Sequence, residues 1–177
     1  MANGKVQAFK IEVAEPVLTD LRARLERTRL PDEMPGSGWQ YGTNLAYLKE
    51  LVEYWRTRYD WRLNERELNR FSHFCTDVDG LGIHFIHQPG RGSNPKPLLL
   101  LHGWPGSVYE FQRIIPMLTD PAAHGGDPRD SFTVVAPSLP GYGFSDHPRA
   151  PGMNIEAMAA IFVKLMTDTL GYKPGHL

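Results

Sequence analysis

The chain has 177 residues, 41% hydrophobic and 22% charged, which suffices for a packed core and argues against disorder. The formal net charge is -1, with no Lys/Arg block and no basic stripe interleaved with aromatics, so nucleic-acid binding is not expected. The single cysteine, Cys75, cannot form an internal disulfide or a thiolate metal cage. It fits a reducing compartment and reads as a small buried strand side chain. Met1 to Lys10 carries no apolar core of signal-peptide length, and no window approaches the ~20 apolar residues of a membrane span, so a soluble, cytoplasmic protein is expected.

Residues 16 to 70 read as helical. Pro16 suits a first helical position, and Val17, Leu18, Leu21 and Leu25 form an apolar stripe that Pro31 stops. The segment Leu30 to Tyr41 has turn chemistry with Trp39 as an aromatic anchor. A second helix carries Leu45, Leu48, Val52, Trp55 and Tyr59 behind an Asn44 cap. Asn64 and Glu67 have the spacing of a capping box for a short third helix bearing Leu68 and Phe71. Trp39 and Trp55 are expected in the core rather than on a ligand platform.

Near residue 72 the period changes from helical to alternating. Phe74, Thr76 and Val78, the Asp79-Gly80 pair, and Ile83, Phe85 and His87 predict an antiparallel hairpin with a two-residue turn. After a Gly/Pro/Ser loop, the unbroken apolar run Pro97 to Leu101 predicts a strand covered on both faces. Ser107 and Glu110 have capping-box spacing for a helix bearing Val108, Phe111, Ile115 and Leu118, which Pro116 is expected to kink or end. Phe132 to Ala136 is the next strand. Asn154 caps a final helix with Ile155, Met158, Phe162, Leu165, Met166 and Leu170, closed by Gly171. This order predicts an α/β fold whose sheet is parallel beyond its first two strands.

In an open α/β sheet, ligands sit at the carboxyl ends of the strands, which selects the turns His102 to Ser107 and Pro137 to Ser145. Gly103 would let the backbone approach a ligand, and the Trp104 amide could donate to a developing oxyanion. The rival reading is that Gly103 and Gly106 only permit a tight turn. A strand before the turn and a helix cap after it favour the oxyanion reading. His102 is read as bracing this loop by a hydrogen bond rather than transferring protons.

Other candidates have plainer readings. Ser107 is a helix cap, and there is no Gly-x-Ser-x-Gly. His84 and His87, three apart on a strand, point to opposite faces and cannot share a metal. Asp79 and Asp146 are turn residues, and His176 is a terminal side chain. Gly141-Tyr142-Gly143-Phe144 lacks the third glycine and the immediate helix of a dinucleotide fingerprint. No cofactor and no metal are expected.

The strings His102-Gly103-Trp104-Pro105-Gly106-Ser107, Glu110-Phe111, Ile114-Ile115-Pro116 and Pro137-Ser138-Leu139-Pro140-Gly141-Tyr142-Gly143-Phe144-Ser145 resemble epoxide hydrolases of the microsomal and juvenile-hormone type. Arg29-Leu30-Pro31, Asp60-Trp61-Arg62 and Gly82-Ile83-His84-Phe85-Ile86-His87 extend that resemblance over nearly the whole chain. The resemblance implies residues 1–70 as a helical N-terminal extension, and residues 71–177 as the first half of an α/β-hydrolase core. It also implies a cis Trp104-Pro105 peptide, with Pro105 shaping the loop. The implied chemistry opens a small apolar epoxide to a vicinal diol: an Asp attacks, two lid tyrosines protonate, and a His with a second carboxylate activates water against the alkyl ester. Only the oxyanion loop of that machinery maps here. Leu170-Gly171-Tyr172 is followed by five residues and no Gly-x-Nuc-x-Gly elbow.

The chain is therefore expected to be inactive alone. Its bare sheet edge is expected to self-associate, to meet a complementing polypeptide, or to leave the chain marginally stable. Two alternatives stand beside this reading. One is part of a dehalogenase or esterase; the other is a non-catalytic remnant binding a partner through that edge.

Overall fold

A two-residue turn builds the middle of the sheet. Asp79 and Gly80 both take positive φ, 55° and 82°, as a tight antiparallel hairpin requires. They join β2 (His73–Val78) to β3 (Leu81–Gln88), with Val78 opposite Leu81 and His73 opposite Ile86. The computed structural model describes residues 4–173, which form two compact units: Ile11–Glu67, and residues 4–10 with 68–173. His176 lies outside the described residues.

In the second of these units the described strands make one five-stranded sheet. β1 (Gln7–Phe9) pairs antiparallel with β2, in a stretch that sequence reading assigns to the helical extension. Three residues with no buried side chain left no alternation to detect. β4 (Lys96–Leu99) and β5 (Phe132–Pro137) pair parallel, and β5 pairs antiparallel with β3, giving the order β1-β2-β3-β5-β4.

The strand covered on both faces is β5, not β4. Val134 and Ala136 meet Ile86, Val108 and Ile115 on one face. On the other, Val135 joins Ile83, Phe85, Phe162 and Leu165. β4 is only half buried, because it stands at the edge of the described sheet with β5 on one side alone. Leu101, expected inside, is 47% exposed.

The elements around the sheet follow their caps. Ser107 accepts from the Tyr109 amide at 3.2 Å, but starts only a single 3-10 turn, Val108–Phe111. The helix α1 of this unit (Ile114–Thr119) begins afresh beyond it. Pro116 neither kinks nor ends this helix. It occupies the first turn, where a missing N–H costs nothing. Helix α2 (Ile155–Lys164) starts where Asn154 accepts from the Ala157 amide at 2.9 Å. Its end widens over Leu165–Thr169, with the Leu170 amide reaching the Leu165 carbonyl at 3.0 Å, before Gly171 turns the chain at φ 76°.

The unit Ile11–Glu67 holds α3 (Glu15–Glu26), α4 (Leu45–Thr57) and most of α5 (Trp61–Leu68). α3 stops at Glu26, ahead of Pro31, because the Arg27 and Thr28 amides close on Arg24 and Leu25 carbonyls, each at 3.2 Å. Asn44 caps α4 as expected, accepting from Tyr47 at 3.0 Å. The capping box at Asn64 does not form. Asp60 is the cap, accepting from Leu63 at 3.0 Å, and Asn64 lies inside the helix donating back to the Asp60 carbonyl. Glu65 organises this unit: its carboxylate accepts from the Val13 amide at 2.7 Å, the Trp61 indole at 3.0 Å and Arg62 at 2.8 Å. Neither tryptophan expected in the core is there. Trp39 is 62% exposed, with its ring 5.2 Å from that of Tyr47. Trp55 lines a hollow of about 460 Å³ with Leu21, Leu25 and Leu51, since α4 buries no side chain fully.

Candidate active site

Two turns leave the carboxyl ends of β4 and β5, and one histidine joins them. The first, 102–107, closes where the Gly106 amide donates to the Gly103 carbonyl at 2.7 Å, and its Trp104-Pro105 peptide is cis, as the resemblance implies. Gly103 and Gly106 differ. A Cβ on Gly106 would overlap the Glu110 carboxylate and lie 3.1 Å from the Gly103 carbonyl, so packing accounts for that glycine. Gly103 has no such reason: its φ lies outside the left-handed region, and a Cβ there would meet nothing within 4 Å. Open space therefore lies over the Gly103 backbone. Beside it, the Trp104 amide has no hydrogen-bond partner among the described residues, and its indole is 82% exposed.

His102 is buried and does the bracing expected of it. Its Nε2 accepts from the Leu139 amide at 3.1 Å, which puts the proton on Nδ1, facing the Gly103 carbonyl at 3.3 Å. Tyr142 meets the ring edge-on at 5.4 Å. One side chain thus fastens the first turn to the second. Pro105 is exposed with Gly103 and Trp104.

The second turn is pinned to β3 at both ends. The Ser138 amide donates to the His84 carbonyl at 2.9 Å, and the Asp146 amide to the Gly82 carbonyl at 2.8 Å. Gly141 and Gly143 take φ 83° and 52°, conformations open to glycine. No helix follows the turn directly, so Gly141-Tyr142-Gly143-Phe144 has no dinucleotide geometry. Asp146 does more than turn the chain, since its carboxylate accepts from the Gly82 amide at 3.1 Å. Asp79 pairs with Lys164 at 2.5 Å.

Beneath this turn lies a buried polar cluster that sequence reading did not anticipate. His73 Nδ1 and His84 Nε2 are 3.0 Å apart, His73 Nε2 faces the Leu68 carbonyl at 2.8 Å, and His84 Nδ1 faces the Ser138 hydroxyl at 2.9 Å. Ser145 donates to the Ser138 carbonyl at 2.7 Å and accepts from the His84 amide at 3.0 Å. Burial, with His73 beside it, pushes the His84 pKa down to about 3, and burial lowers His73 as well. A usable signal was present. The Asp79-Gly80 turn sets the hairpin register, and that register makes His73 and His84 diagonal neighbours on one face. His87 is apart from them, with Nε2 2.9 Å from the Tyr172 hydroxyl. Cys75 is half buried rather than buried, and burial raises its thiol pKa.

The family described as Epoxide hydrolase N terminus matches residues 6–111, and the alpha/beta hydrolase fold family matches residues 96–177. A protein of Stigmatella aurantiaca (strain DW4/3-1) is 53% identical over 167 residues, covering 94% of this chain and 38% of its own length. Epoxide hydrolase 1 of Sus scrofa is 45% identical over 176 residues, 97% of this chain and 38% of its own. Among solved structures, juvenile hormone epoxide hydrolase from the silkworm Bombyx mori superposes with a TM-score of 0.84 at 36% identity, covering 97% of this chain and 45% of that one. Aspergillus niger epoxide hydrolase gives 0.81 at 30% identity, over 94% and 44%. The chain thus spans less than half the length of these relatives. Among the described residues, no helix is long and apolar enough to cross a membrane.

Proposed function

This chain belongs to the epoxide hydrolase family, and from that premise we propose that it supplies the oxyanion turn of an enzyme converting small apolar epoxides to vicinal diols. The nucleophilic Asp, the His base with its carboxylate, and the lid tyrosines would come from polypeptide beyond the stretch shared here. In the reaction an Asp oxygen bonds to an epoxide carbon, the C–O bond breaks, and the released oxygen takes a proton from a lid tyrosine. Water then attacks the ester carbonyl. The Trp104 amide donates to the oxygen that becomes negative in that second step, with Gly103 leaving room and His102 and Pro105 holding the turn.

The single observation carrying this reading is the contrast between the glycines. Gly103 is open where neither φ nor packing requires glycine, beside an amide with no partner among the described residues. Residues 1–177 produced on their own are expected to leave a styrene-oxide-type epoxide unopened, and to form diol when mixed with the carboxyl-terminal remainder of a relative. Diol from the chain alone would contradict the division of catalytic groups. Failure of every complemented mixture would contradict the reaction.

The edge strand supports a second statement. β4 stands at the edge of the described sheet with half-buried apolar side chains, and further polypeptide covers that edge in the enzyme. The lone cysteine supports a cytoplasmic location.

A further inference from the structure

The buried cluster under the second turn has a direction, fixed at one end. The Leu68 carbonyl can only accept, so His73 must carry its proton on Nε2 and leave Nδ1 as an acceptor. His84 Nε2 then donates to His73, and His84 Nδ1 accepts from the Ser138 hydroxyl. The opposite arrangement would set two lone pairs against each other 2.8 Å apart at Leu68. Phe9 and Phe144 close on the His84 ring at 5.1 and 5.2 Å, and the imidazoles stay neutral in that setting. Gly143 completes the fit, since a Cβ there would lie 2.6 Å from the Ser138 hydroxyl oxygen.

We propose that Ser138, His84 and His73 form a one-way hydrogen-bond chain that positions the 138–145 turn and, through the Leu139 amide and His102, the 102–107 turn. Ser138 begins the second turn, and Leu139 next to it donates to His102. A shift of Ser138 therefore reaches the Gly103 carbonyl through one imidazole. His84 and His73 are positioning residues, with no contact to reacting atoms. The chain itself stands apart from the hydrolase reading; only its catalytic consequence rests on that reading.

Long-range proton–nitrogen correlation spectra of histidine-labelled protein test the direction without any substitution. The expected result at pH 7 is Nε2–H for His73 and His84, and Nδ1–H for His102. A proton on His84 Nδ1, or a charged His84 at pH 6, would overturn the proposal. Two variants then test transmission. His84→Asn keeps an acceptor near Ser138, whereas His84→Gln reaches toward His73 and abandons Ser138. The Gln variant is expected to move the His102 resonances and cut hydrogen-exchange protection at the Leu139 amide by roughly three- to tenfold, while Asn restores both. If both variants leave Leu139 and His102 as in the parent, the chain does not position the turns. In the complemented enzyme His84→Gln is expected to lower kcat with KM unchanged. An unchanged kcat beside a displaced His102 would overturn the catalytic consequence while leaving the hydrolase reading intact.

Discussion

Glycines that look alike in the sequence have different physical reasons, and substitution separates them. Gly143 combines φ 52° with a close approach to a buried hydroxyl. Gly143→Ala is therefore expected to lower unfolding free energy by ~2 kcal/mol, a left-handed alanine costing about 1–2 on its own. Gly103→Ala should stay within about 0.5 kcal/mol of the parent, as an exposed position without neighbours does. Urea denaturation of the two variants checks the pair. His84 makes a pH prediction. Between pH 6.5 and about 3 the unfolded chain binds a proton that the folded one refuses. Stability is then full above about pH 6.5 and falls as pH drops toward 3, by up to ~1.4 kcal/mol per pH unit for this imidazole. His73 and His87, lowered by burial, steepen the fall. Urea midpoints at pH 7 and pH 4.5 measure it, and an equal midpoint at both would contradict the neutral cluster. The bracing role of His102 was legible because a buried imidazole at a strand end needs a partner. The contact of His73 with His84 was readable from the hairpin register, whereas Ser138, the partner of His84, was not, because it lies on a turn far along the chain.

Among the elements, the hairpin and the caps at Asn44 and Asn154 were readable because turn and capping chemistry are local. Asn154→Ala is expected to cost ~1 kcal/mol, read as a lowered thermal midpoint. The start of α5 was missed because two sites compete. Asn64 and Glu67 have the right spacing, yet Asp60 takes the amide four residues earlier than that box would begin the helix. Asp60→Ala should therefore destabilise the unit Ile11–Glu67 by ~1 kcal/mol, with Asn64→Ala costing less. The two apolar runs Pro97 to Leu101 and Phe132 to Ala136 look equally buried as strings. Position in the sheet, which no single strand encodes, makes β5 central and leaves β4 at the edge.

At the scale of the whole molecule, fold class was legible from the order of elements and from the resemblance, and the mixed sheet bears it out. What lies against β4 was not legible, since an edge carries no mark of its partner. Sedimentation of residues 1–177 on their own is expected to show concentration-dependent association that the carboxyl-terminal remainder of a relative suppresses. A cooperative monomer at every concentration would contradict the covered edge. The chemistry of the turn rests on a single N–H, that of Trp104. Replacing Trp104 by its α-hydroxy acid through ligation removes that donor and keeps the indole, and stopped-flow measurement in the complemented enzyme resolves ester formation from ester hydrolysis. Ester formation is expected at the parent rate and hydrolysis slowed about 10²–10³-fold, with a small loss of thermal stability because the ester carbonyl then at Gly103 accepts from the Gly106 amide and His102 more weakly. Hydrolysis at the parent rate would contradict the role of that N–H.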